Sequence, residues 1–212
     1  SSREPFELNG LEVWQLRQWL LENKLSDTPD LNISELVQAT GMLPQGEFGD
    51  EWLQQEEQKV EAFLDSLTPY LTEQRLPAVP FELEIGKFTL SGQLDKLSSS
   101  GLLRYRLSRK KGRDLINGWL EHLILNIVKP EGVTLETQLV FEDEEITFTP
   151  VIDAQFLLEH YLNLYWQGCQ HPLPLFDKTS LAYAKQALSK QREKAQQVAE
   201  RTWAPANEFV MA

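Results

Sequence analysis

Cysteine is nearly absent: Cys169 is the only one in 212 residues. A lone thiol excludes an internal disulfide framework and fits a reducing compartment, so a cytoplasmic protein is expected. Apolar runs are equally scarce, and none approaches the roughly 20 residues that a bilayer-spanning helix needs. The first residues, Ser1-Ser2-Arg3-Glu4-Pro5, show neither the basic stretch nor the apolar core of an export signal. Positive charge is outweighed, leaving a formal net charge of −12. Affinity for duplex DNA comes largely from basic side chains that displace counterions, so this balance argues against a DNA clamp acting alone. It still leaves room for a local basic strip, and one runs from Arg104 to Arg113.

What is present suits a sizeable core. Hydrophobic residues make up 42% of the chain, enough for one large domain or one domain with a helical appendage. Val13, Leu16, Trp19 and Leu20 recur at helical spacing and predict a helix over Leu11–Leu25 after an Asn9-Gly10 turn. A short helix is expected over Ile33–Ala39, capped near Asn32 or Ser34 and broken by Gly41 to Gly46. Trp52, Leu53, Val60, Phe63, Leu64, Leu67, Tyr70 and Leu71 then mark a long amphipathic helix, closed by Pro77 and Pro80. Beyond them the period changes to two. Strands are predicted at Phe81–Ile85, Phe88–Asp95, Leu102–Leu107, Val133–Phe141 and Ile146–Thr149, the first four sharing a single sheet. The helix Leu115–Val128 should pack on that sheet. Asp153 is placed to cap the helix that carries Leu157, Tyr161, Leu164 and Tyr165. A last helix is expected from Thr179 to Arg201, its polar far end projecting or fraying. The fold class is α+β (α/β): a helical N-terminal segment, residues 1–75, and a small mixed sheet flanked by helices in residues 76–212, the two packed as one unit. Glu4-Pro5-Phe6-Glu7-Leu8 reads as the middle of a connection, which suggests a piece of a longer protein.

Some segments carry a family likeness. Gly92-Gln93-Leu94-Asp95 resembles the glycine-x-apolar-aspartate segment of RecB-type nuclease domains, and the order of elements resembles the PD-(D/E)XK nuclease core. In that family the aspartate ligates a catalytic metal, and the next strand supplies acid-x-lysine. Here the strand reads Tyr105-Arg106-Leu107-Ser108-Arg109-Lys110, which puts Ser108 and Lys110, or Leu107 and Arg109, at those places. Neither register supplies a carboxylate. Magnesium needs hard oxygen ligands to activate water and to balance phosphate charge, and a serine hydroxyl is a poor replacement for an acid. The bases Arg104, Arg106, Arg109, Lys110, Lys111 and Arg113 would further repel a divalent cation. Thr40-Gly41-Met42-Leu43-Pro44-Gln45-Gly46-Glu47-Phe48-Gly49, the run Glu4–Leu11 with Leu16-Arg17, and Pro172-Leu173-Pro174-Leu175-Phe176 followed by Lys178–Ala184 resemble stretches of the RecC (exodeoxyribonuclease V gamma subunit) family. The likeness implies a nuclease-like fold without its active site, with Asp95, Ser108 and Lys110 as degenerate positions, no cofactor and no metal. It further implies a non-catalytic part in a helicase–nuclease, with RecB and RecD subunits and DNA as partners and no membrane.

Plainer readings stand beside these. Asp95 also reads as a strand-end aspartate bonding turn amides. The strip Arg104–Arg113 reads either as a solvated face or as a contact for DNA or a partner. An active nuclease would need Asp95, Lys110 and a distant acid such as Glu121 or Glu57. His160, Cys169 and His171 lack paired metal-ligand spacing. His122 reads as a boundary histidine, Trp14 and Trp19 as core or interface anchors, and Glu142–Glu145 as a solvated acidic turn.

Overall fold

The computed structural model describes residues 10–26, 47–173 and 175–207. The expected helix at Ile33–Ala39, and the segments Glu4–Leu8 and Thr40–Gly46, lie outside the described residues. The chain divides into two compact units. The first takes residues up to Gln74 with Tyr105–Arg109 and Val140–Glu144; the second takes Arg75–Arg104, Lys110–Leu139 and Glu145 onward.

In the first unit helix α1 (Gly10–Leu25) lies against helix α2 (Glu47–Leu71). Leu16, Leu20 and Leu21 recur at helical spacing on α1 and are buried, as are Leu53, Val60, Phe63 and Leu67 on α2. Arg17 reaches Glu56 and Lys24 reaches Glu61, so the two helices run in the same sense.

The second unit opens with the hairpin β1 (Val79–Ile85) and β2 (Phe88–Leu94), joined through Gly86 at φ 57°. Their antiparallel register pairs Val79 with Leu94 and Ile85 with Phe88. Strands β3 (Leu97–Ser98), β4 (Gly101–Arg106), β5 (Thr137–Phe141) and β6 (Glu145–Phe148) form a separate sheet in that order. The expected single sheet is therefore two. The break falls at Lys96, whose left-handed backbone (φ 55°) interrupts the extended run after Asp95. Leu97 then pairs antiparallel with Leu102, so the Asp95 segment still leads directly into the neighbour of β4. Leu102 N–H donates to the Glu136 carbonyl and Glu142 N–H to the Ser108 carbonyl, a constant offset that makes β4 and β5 parallel. Helix α3 (Gly112–Val128) supplies the crossover. Gly118 lets that helix approach β5 closely, because a Cβ there would lie 2.6 Å from a Leu139 methyl.

Among the described residues, two clusters contribute to this unit's core. Ile85, Leu123, Ala154 and Leu158 join the hairpin, α3 and helix α4 (Ala154–Gln170). Leu94, Leu97, Leu102 and Leu125 join the strands to α3. Asp153 occupies the residue before α4, but its side chain makes no capping bond.

The expected long final helix is two helices, α5 (Asp177–Ala187) and α6 (Ala195–Asn207), packed on each other. Ser189 explains the interruption: its hydroxyl donates to the Gln186 carbonyl and accepts from Gln191 N–H, offering the backbone a turn in place of the next helical bond. Ala195 is buried and Phe176 stacks at 4.2 Å on Trp203, so the far end is docked and not projecting.

Candidate functional site

Asp95 sits where the resemblance places a metal-binding aspartate, and what surrounds it follows from strand and helix periods. Leu102 on β4 and Leu125 on α3 meet in the core. Two residues further along β4 on the same face stands Arg104, and one turn earlier on α3 stands Glu121. The row that begins as leucine against leucine therefore continues, at the edge of the core, as arginine against glutamate. Arg104 Nε donates to Glu121 Oε2 at 2.6 Å, and Arg104 Nη2 meets Asp95 Oδ1 at 2.7 Å. Its Nη1 also donates to the backbone carbonyls of Asp95 at 3.2 Å and Leu103 at 3.3 Å. A guanidinium thus lies between the two carboxylates. These are short, charge-assisted contacts, yet half of the Asp95 side chain is exposed, so water screens them and the group is worth only about 1 kcal/mol.

Lys96 adjoins this group and carries no role in the sequence reading. Burial, and then the charge of Arg104, lower the pKa of its ammonium below the usual lysine value, against the pull of Asp95. Its place directly after the aspartate was the available signal.

The other singled-out residues are dispersed. Ser108 belongs to the first unit, where its carbonyl accepts from Glu142 N–H. Lys110 is half-buried and belongs to the second unit. Arg106 places its guanidinium 6.0 Å from the Trp14 ring centroid. Arg109, Lys111 and Arg113 are exposed, and Lys111 N–H donates to Asp114 at the start of α3. Within the strip, Arg104 is held between two acids. Glu57 is half-buried on α2. Trp19 is half-buried on α1, its carbonyl accepting from Asn23. His160 stands edge-on to Tyr161, and Cys169 and His171 are exposed at the end of α4. Among the described residues no three His, Cys, Asp or Glu side chains are grouped so as to hold a metal.

Two further polar centres carry structure. In the first unit buried Glu56 accepts from Arg17 and, at 2.7 Å, from Lys59. Burial pushes its carboxyl upward, but the two hydrogen bonds and charges outweigh that and hold its pKa below the ordinary value. Arg17 also faces Glu142 at 3.7 Å, which gives the acidic turn an internal partner. In the second unit His122 is fully buried, not a boundary residue. The Thr149 carbonyl 3.0 Å from Nε2 can only accept, so Nε2 carries the proton and Nδ1 accepts from the Thr137 hydroxyl at 2.9 Å. Asn126 extends the network, taking Val151 N–H on its carbonyl oxygen and donating to the His122 and Leu135 carbonyls.

A profile of the RecC C-terminal domain family matches residues 1–188. The chain belongs to that family. Proteins named RecBCD enzyme subunit RecC are similar to it: that of Escherichia coli is 28% identical over 200 residues, covering 90% of this chain and 17% of its own length. That of Buchnera aphidicola subsp. Schizaphis graminum is 27% identical over 183 residues, covering 84% of this chain and 17% of its own. A second Buchnera aphidicola protein, from subsp. Acyrthosiphon pisum, is 26% identical over 180 residues. The chain therefore spans about a sixth of the length of these RecC relatives, 16 to 17%. Among the described residues no helix is long and apolar enough to cross a membrane.

Proposed function

We propose that this RecC-family domain is a non-catalytic structural and interaction module of a RecBCD helicase–nuclease in double-strand break repair and recombination, with a nuclease-like fold in residues 76–212 and a helical segment in residues 1–75. It supports assembly with RecB and RecD and the handling of DNA in the full cytoplasmic complex. The observation that carries the non-catalytic reading is Arg104 between Asp95 and Glu121. A divalent ion that activates water must sit within about 2.1 Å of its oxygen ligands, and a guanidinium held by the same carboxylates excludes it. The available acid, Glu121, is thus engaged by an arginine, and the segment after β4 adds only bases. Arg109, Lys111 and Arg113 are the exposed bases of the strip and would meet phosphates or a partner; Arg104 is already engaged.

The test is direct. The 212-residue chain incubated with linear duplex or single-stranded DNA should leave it intact with either magnesium or manganese. Metal-dependent cleavage that disappears in Asp95→Ala would show an active nuclease built on Asp95, Lys110 and a distant acid such as Glu121 or Glu57.

A further inference from the structure

We propose that the outer edge of β1 is a docking edge for an extended, basic segment of a partner protein, which adds to the hairpin as a third strand. The inference rests on the interaction role proposed above and gives that role a surface and a partner chemistry. Ile85 and Phe88 flank the two-residue turn Gly86-Lys87, so Ile85–Phe88, Leu83–Leu90 and Phe81–Gly92 are the pairs that exchange backbone hydrogen bonds. Glu82 and Glu84 lie between them and turn their N–H and C=O groups away from β2. Among the described residues no strand lies on that side, and neither backbone makes a hydrogen bond there. The continuation of β2 is flanked on both sides instead: Leu76 N–H donates to the Leu97 carbonyl and Leu103 N–H to the Lys96 carbonyl. The open ladder therefore belongs to β1, and Pro80, which has no N–H, bounds it at its start.

The side chains beside this ladder decide what it takes. Glu82 and Glu84 are exposed on one face of the hairpin, and their cross-strand neighbours Ser91 and Thr89 are neutral. Glu84 accepts from the Thr89 hydroxyl at 2.9 Å, and among the described residues no base pairs with either acid. Lys87, the nearest base along the chain, stands on the other face, 5.3 Å from the Phe88 ring centroid and 4.8 Å from that of Trp166. Two copies joined edge to edge would set these acids against one another, which cross-strand pairing disfavours. A strand with Lys or Arg at alternate positions instead puts a base beside each acid. Its remaining side chains fall next to half-buried Phe81 and Leu83, where apolar groups belong.

The probe is the fluorescein-labelled peptide Lys-Val-Lys-Val-Lys-Val-Lys, titrated with the 212-residue chain. Anisotropy should give a dissociation constant of about 100 μM, the scale of a few backbone hydrogen bonds and two charge pairs. N-methylating the interior amides keeps the charge and the apolar groups but removes the donors, and should weaken binding at least about tenfold. Glu82→Gln with Glu84→Gln should weaken it about fivefold. In the unaltered chain, peptide at about ten times its dissociation constant should slow hydrogen exchange of the Glu82 and Glu84 amides about tenfold, a readout that needs no variant to fold. Binding that survives N-methylation, or that leaves those two amides unprotected, would be attraction to the net charge alone and would overturn the inference. Absence of binding at about 1 mM would do the same. Protection of these amides by self-association, without peptide, would assign the edge to a second copy and equally overturn it. The cleavage assay on the unaltered chain tests the non-catalytic reading separately, so failure of one is distinguishable from failure of the other.

Discussion

At the scale of single residues, His122 has the clearest consequence in solution. Burial lowers its pKa below the ordinary 6.5, and its hydrogen bond to Thr149 offsets only part of that effect. The unfolded chain then binds a proton at a higher pH than the folded one does. The sign follows: above pH 6.5 both states hold neutral imidazole and stability is unaffected, and below it the unfolded state gains protons and stability falls until the folded value is passed. His122→Gln should remove this dependence while it loses packing against Trp119 and Phe148, whose ring centroids lie 5.4 and 5.5 Å away. Urea unfolding at pH 7.5 should show a loss of about 2 kcal/mol in the variant. At pH 5.5 the gap between the two proteins should be narrower. A gap of the same size at both pH values would mean that His122 does not titrate differently on folding.

At the scale of elements, α3 ends on Lys129 in the left-handed region at φ 48°, its N–H closing the helix onto the Leu125 carbonyl at 2.9 Å. Lysine is strained there and glycine is not, and Lys129 is exposed. Lys129→Gly should therefore stabilise the chain by about 0.5–1 kcal/mol, read as a rise in unfolding midpoint at unchanged denaturant slope. The helix itself was legible in the sequence because Leu115, Trp119, Leu123 and Ile127 keep a helical period; the left-handed residue that ends it was not, since nothing in Val128-Lys129-Pro130 marks which residue turns. The same blindness accounts for the division of the sheet. Phe88 to Asp95 reads as one strand with its continuation, and the Lys96 kink is a backbone event with no glycine to announce it. The last helix was read too long because Ser189 is an acceptable helix residue until its hydroxyl is seen bonding Gln186 and Gln191. At the candidate site, Asp95 was legible from Gly92-Gln93-Leu94-Asp95. Its union with Glu121 through Arg104 depends on how β4 lies along α3, which local pattern does not state.

At the scale of the whole chain, charge decides what the domain does with nucleic acid by itself. The net charge is −12, and among the six bases of the strip Arg104 is neutralised by two acids and Arg106 lies by Trp14. Lys110 is half-buried, which leaves Arg109, Lys111 and Arg113 as exposed cations on a chain whose overall field repels phosphate. Each phosphate neutralised on duplex DNA contributes about 0.9 to the slope of log affinity against log salt, so a slope no steeper than about −3 is expected. Binding at physiological salt should be weaker than about 10 μM, within the range of non-specific association. Fluorescence anisotropy of a labelled duplex, titrated between 50 and 200 mM salt, measures both quantities. Replacing Arg109, Lys111 and Arg113 by alanine should flatten what slope there is. Submicromolar binding with a steep slope, lost in the triple variant, would instead establish an independent DNA-binding module. Weak binding with a shallow slope is the outcome expected of the proposed non-catalytic module, which does not hold DNA by itself.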